Sequence, residues 1–100
     1  MGLIHIVLFK LKPTFSVQTF EQVSSSLNKM SSHIPQVKHS SFGKNLTQRG
    51  KGYTHAVVVE LGSMDDLPIY IDHPHHQAIL KDLKEVMIIE ESIAVDYETS

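Results

Sequence analysis

"LIHIVLFKL", residues 3 to 11, carries the decision about the fold. Its β-branched and aromatic content reads as a strand. Successive side chains of a strand point to opposite faces. Leu3, His5, Val7 and Phe9 therefore share one face, and Ile4, Ile6 and Leu8 share the other. Both faces are apolar, so each needs a cover.

A second strong strand follows at "YTHAVVVEL" (53–61), with Tyr53, His55, Val57 and Val59 on one face. Between the two, Lys12-Pro13 ends the first strand, and Thr14 or Ser16 can cap a helix. Val17, Phe20, Val23, Leu27, Met30 and Ile34 recur at helical spacing, which predicts an amphipathic helix from about 16 to 32. Pro35 stops it. "VKHSSFGK" (37–44) is a more polar strand suited to a sheet edge, and "NLTQRGKG" is a loop. Ser63 with Asp66 resembles a capping box and predicts a short helix from about 64 to 71. Pro74 opens another helix, whose buried stripe is Ile79, Leu80, Leu83 and Met87. "SIAVDYE" (92–98) closes the chain as a strand.

The order β-α-β-β-α-β is the split βαβ pattern of an α+β, ferredoxin-like protomer with a four-stranded antiparallel sheet. Right-handed crossovers put the helices on one side of that sheet. The other side, with Ile4, Ile6 and Leu8, would be an aggregation hazard in water. Two copies packed sheet against sheet remove the hazard, so a homodimer enclosing a barrel-like interior is expected.

Composition narrows the function classes. One hundred residues, 41% hydrophobic and 20% charged, fit one globular domain over 1–100. A net charge of -2 with nine scattered Lys and Arg offers no stripe for phosphates, so no nucleic-acid partner is expected. There is no cysteine, which excludes disulfides and thiolate chemistry. The first apolar run is too short to span a bilayer or to serve as a signal peptide. Gly2 lacks the Ser or Thr that myristoylation wants at the sixth position, where Ile6 stands. A cytoplasmic protein without a membrane partner is expected.

"HIVLFKLK", "IPQVKHSSFGKNLT", "GYTHAVVVEL" and "YIDHPHHQ", in this order, resemble the stress-responsive dimeric α/β barrel (Dabb) family from about residue 3 to Tyr97. The resemblance implies a ferredoxin-like protomer and a barrel-forming dimer. Within the family, the chain is similar to polyketide cyclases, which close a poly-β-keto chain by intramolecular aldol condensation without a cofactor. Their catalytic tyrosine and general-base histidine fall on Tyr70 and His76. Their further pocket histidines fall on His5 and His55, and the first histidine of their HPxH motif falls on His73. The chain departs from them in a shorter loop at 48–52, in His75, in Phe42 and in its last helix, "AILKDLKEVMIIEE".

The residues themselves bear on this. His76 falls in the first turn after Pro74, where the positive end of a helix disfavours protonation and leaves a neutral base. Tyr70, before the break, can meet it across the turn and donate to a carbonyl. His5 and His55 lie on apolar strand faces and need a partner or a ligand. Val7, Phe9, Val57, Val59 and Ile79 are expected to line the pocket, with His5, His55 and His73 as substrate-binding groups. Asp72, His73, His75 and His76 are all metal-ligand types, yet His75 and His76 point about 100° apart on a helix, so no metal site is expected. His33, His39 and His75 read as surface residues, Glu90 and Glu91 as a solvated turn, and Asp96 and Tyr97 as edge or dimer packing. Two other readings stay open: a non-catalytic ligand-binding or structural barrel, and a cofactor-free monooxygenase on a related barrel.

Overall fold

Residues 2–99 are described by a computed structural model; the two outermost positions of the expected 1–100 domain lie outside the described residues. The elements run β1 (Leu3–Phe9), α1 (Val17–Asn28), β2 (Val37–Lys44), β3 (His55–Leu61), α2 (Asp66–Asp72), α3 (Pro74–Val86) and β4 (Ile93–Glu98). The strands form one sheet in the order β2-β3-β1-β4, and each neighbouring pair is antiparallel. This is the ferredoxin-like arrangement that the element order predicts, with β2 at an edge as expected.

The alternation in β1 and β3 divides the sheet into two faces. Leu3, Phe9, Val57, Val59 and Leu61 are buried beneath Val23 and Leu27 of α1 and Ile79, Leu83 and Val86 of α3. Each such side chain contributes roughly 1.5–3 kcal/mol by leaving water. On the other face, the register sets Ile4 opposite Tyr97, Ile6 opposite Val95, and Leu8 opposite Ile93. Ile93, Val95 and Tyr97 are 43%, 50% and 51% exposed, so a continuous apolar surface lies where no helix covers the sheet. Among the described residues no helix is long and apolar enough to cross a membrane.

Three local details refine the expected elements. Ser16, not Thr14, caps α1: its Oγ accepts from the Thr19 N–H at 3.2 Å. That helix ends at Asn28 and passes into a single 3-10 turn, Met30–Ser32, instead of continuing to about 32. The Asn28 side chain turns aside to the sheet edge, accepting from the Phe42 N–H at 3.0 Å while its amide donates to the Ser24 carbonyl at 2.9 Å. The capping box at Ser63 and Asp66 does not form. The Ser63 carbonyl takes the Asp66 N–H at 3.1 Å, and Asp65 stands at the N-cap without a side-chain bond. The Asp66 carboxylate packs against Gly62, where a Cβ would meet Oδ2 at 2.8 Å.

Candidate functional site

Pro74 stands at the start of α3, and the preceding His73 is extended, so α2 and α3 meet at an abrupt corner. That corner brings Tyr70, from the last turn of α2, and His76, from the first turn of α3, to the same place: their ring centroids are 4.6 Å apart. Both face a cavity of about 200 Å³ between the covered sheet face and the helices. His5, Val7, Phe9, Val57 and Ile79 line it too, joined by Leu27, Leu80, Leu83, Ile89, Ser92 and Ala94.

His76 is held by a backbone carbonyl at the end of α2. Its Nδ1 lies 2.9 Å from the Ile71 carbonyl oxygen. A carbonyl only accepts, so Nδ1 carries the hydrogen and donates it. In the neutral ring Nε2 is then the lone-pair nitrogen. Burial, the largest influence, holds the pKa below the ordinary imidazole value. The Ile71 bond and Asp72 oppose that shift, while His5 and His73 add to it. The result is a ring that stays neutral near pH 7, as a general base requires.

Tyr70 is 2% exposed, and burial pushes its phenol above the ordinary value, so the hydroxyl stays protonated and can only donate or accept as a neutral group. Its present acceptor is Met30 Sδ at 3.7 Å. Thioether sulfur is a weak acceptor, and a carbonyl oxygen is a stronger one.

His5 completes the polar wall. Its Nδ1 is 2.5 Å from Asp96 Oδ1, and its ring sits edge-on to Tyr70 at 5.7 Å. The pair arises because β1 and β4 place His5 directly opposite Asp96 on the covered face. Asp96, expected to serve edge or dimer packing on the last strand, is thus tied into the site through His5. Ser92 and Ala94 on the same strand also reach the cavity. The sequence signal for Asp96 was the alternation in "SIAVDYE", which sets Ala94 and Asp96 on one face, but only the strand register names His5 as its partner.

Three expected pocket residues lie elsewhere. Val59 is fully buried in the core and does not border the cavity. His55, opposite Phe9 at the far end of the covered face, packs against aromatic rings: it stacks on Phe42 at 5.4 Å and meets Phe20 edge-on at 5.3 Å. Its Nδ1 lies 3.0 Å from Thr54 Oγ1. Burial, then Lys44, lowers its pKa. His73 serves the helix instead, its Nδ1 accepting the His75 N–H at 3.0 Å as the α3 cap.

His33 is exposed as expected, but His75 is half-buried and stacks on His33 with centroids 4.3 Å apart. Burial, then His33 and His73, lowers the His75 pKa. Among the described residues, no group of three or more His, Cys, Asp or Glu side chains is placed to hold a metal ion.

Comparison with known proteins agrees with this architecture. Olivetolic acid cyclase of Cannabis sativa is 32% identical over 78 residues, covering 76% of this chain and 77% of that protein. A dimeric ferredoxin-like protein of unknown function from Thermobifida fusca shares 33% identity at a TM-score of 0.81, covering 99% of this chain and 92% of that one. A hydroxynitrile lyase from Passiflora edulis superposes with a TM-score of 0.83 at 20% identity, over 99% of this chain and 94% of that one; this likeness is one of fold. The description Stress responsive A/B Barrel Domain (Dabb) matches residues 3–99, nearly the full length, and the chain belongs to that family.

Proposed function

We propose that the protein is a cofactor-independent small-molecule cyclase, acting in the cytoplasm as a homodimer on a poly-β-keto chain. His76 Nε2 removes a proton from a methylene flanked by two carbonyls. The resulting enolate carbon attacks a second carbonyl of the same chain, whose oxygen Tyr70 holds through its hydroxyl. One C–C bond forms, the acceptor C=O becomes an alkoxide, and the proton returns to that oxygen. An intramolecular aldol step of this kind needs a base and a donor only. The carbonyl would replace Met30 Sδ as the Tyr70 acceptor. Asp96 fixes the His5 ring beside Tyr70, where His5 orients the chain or the tyrosine. The similarity to olivetolic acid cyclase supports this substrate class.

The observation that carries the reading is the bond from His76 Nδ1 to the Ile71 carbonyl, which leaves Nε2 as the basic nitrogen of a ring that lines the cavity. Incubation with a type III polyketide synthase and its starter and extender thioesters tests it. The expected result is a cyclised product that falls about 10²–10⁴-fold with His76→Ala. Identical product profiles with and without His76 sink it.

Dimerisation draws support from the uncovered face of Ile4, Ile6, Leu8, Ile93, Val95 and Tyr97, and from the dimeric Thermobifida relative. Sedimentation should give a dimer for the wild type and a monomer for Val95→Glu, since a carboxylate in a dry sheet-to-sheet contact is strongly unfavourable. A monomeric wild type ends this part of the proposal.

One observation favours a second reading, a non-catalytic barrel. The cavity of about 200 Å³ is smaller than the roughly 300–1,000 Å³ of most small-molecule sites. The same product assay separates the two.

A further inference from the structure

Residues 10–12 and 86–88 are tied together in a short antiparallel bridge. The Lys12 N–H donates to the Val86 carbonyl and the Ile88 N–H to the Lys10 carbonyl, both at 2.9 Å, with Leu11 opposite Met87. An open cleft of about 310 Å³ lies beside this bridge, lined by Lys12, Lys84, Met87, Ile89 and Glu90. Ile89 also lines the His76 cavity. A single apolar side chain therefore borders both spaces.

The cations here differ in their commitments. Lys10 is engaged: its Nζ lies 3.3 Å from Glu91 and 5.0 Å from the centre of the Tyr53 ring. Lys12 and Lys84 have no carboxylate within ion-pair distance among the described residues. Glu90 lines the same cleft, so its walls carry one net positive charge. Lys84, in the last turn of α3, also complements the negative end of that helix. Lys12 has no such role, because it follows a strand, and it is half-buried. A cleft with a net positive charge beside the apolar Ile89 side chain suits an amphiphilic anion.

We propose that this cleft is the head-group subsite of the His76 cavity. It takes the anionic end, carboxylate or phosphate, of an apolar chain that passes Ile89 and lies along the cavity. The proposal rests on reading that cavity as a small-molecule site, and it concerns binding, not chemistry. A poly-β-keto acid or a phosphate-bearing thioester carrier would each present such an end.

Calorimetric titration of the full chain with octanoate and with octanol tests it, because the two probes share a tail and differ in charge. Wild-type protein should bind octanoate roughly tenfold more tightly than octanol, the scale of two exposed ion pairs. The double variant Lys12→Gln, Lys84→Gln should bind octanoate no better than octanol. Its octanol affinity should be unchanged, which also reports that it is folded. Added salt should weaken octanoate alone. Octyl phosphate distinguishes the source: tighter binding than octanoate assigns a phosphate-bearing carrier, and weaker binding a carboxylate. Equal affinity of the wild type for octanoate and octanol overturns the proposal. So does a preference that survives in the double variant, or no binding of either probe. Failure of the cyclase reading, seen as unchanged products with His76→Ala, would leave these titrations standing.

Discussion

His5 and His55 occupy matching positions on the covered face of the sheet, one near each end, yet their surroundings differ. His5 borders the cavity, pairs with Asp96 and meets the Tyr70 ring. His55 is enclosed by Phe20 and Phe42 and bonded to its sequence neighbour Thr54. In sequence the two are alike, each a lone histidine in an alternating apolar strand. What separates them is the element that covers each end. The corner between α2 and α3 leaves a gap over His5, whereas the aromatic side chains of α1 and β2 fill the space over His55.

The largest expected effect on this pair comes from substituting the two in parallel. His5→Leu should lower product formation about 10–100-fold by loosening the positioning of the reacting groups, and His55→Leu should leave it within about twofold. Steady-state product formation by the two variants is the measurement, and equal losses would erase the distinction. Replacing His55 strands no partner: Thr54 Oγ1 still accepts from the Leu11 N–H at 3.0 Å and donates to the Phe9 carbonyl at 3.3 Å.

A smaller effect should follow from Asp96→Asn, which keeps the shape but removes the charge that orients His5. A drop of about tenfold is expected, the scale of one charge-assisted hydrogen bond. Asp96→Glu should recover part of the activity if orientation is the role. Rescue with an unchanged melting temperature separates orientation from folding.

The pH dependence of stability draws on both ends of the sheet. His55, His75 and His76 all have pKa values held below the ordinary 6.5, with burial as the first cause. The unfolded chain therefore binds more protons than the folded one as pH falls below about 6.5, and stability declines in that direction. From about pH 7.5 upward, one unit above the ordinary value, all three are essentially neutral in both states and contribute little pH dependence. Melting temperatures at about pH 7.5 and about pH 5.5 should show the decline, and His55→Leu should make it shallower. A flat profile would contradict the depressed values.

Much of the candidate site is legible in the sequence. The break at Pro74 places Tyr70 and His76 on adjoining helices, because proline favours a helix start and forces the residue before it to be extended. Val7, Phe9, Val57 and Ile79 follow from alternation and helical spacing. What could not be read was which of several equivalent positions faces empty space. Val59 shares a strand face with Val57, yet it is sealed in the core while Val57 borders the cavity. His73 and His76 share a motif, yet one caps a helix and the other enters the cavity. The capping-box pattern at Ser63 failed for a related reason, since the backbone turn supplied the bond first.

The sequence by itself determined the order of elements, the edge position of β2, the two apolar faces of β1 and the family. Each depends on local periodicity or on turn residues, which act over a few positions. The tertiary structure decided the pairing of His5 with Asp96, 91 residues apart, and the bond of Tyr70 to Met30, 40 residues apart. It also decided the division of the histidines between cavity and core. Those outcomes depend on strand register and on how helices seat over the sheet, and the sum of many packing contacts fixes both.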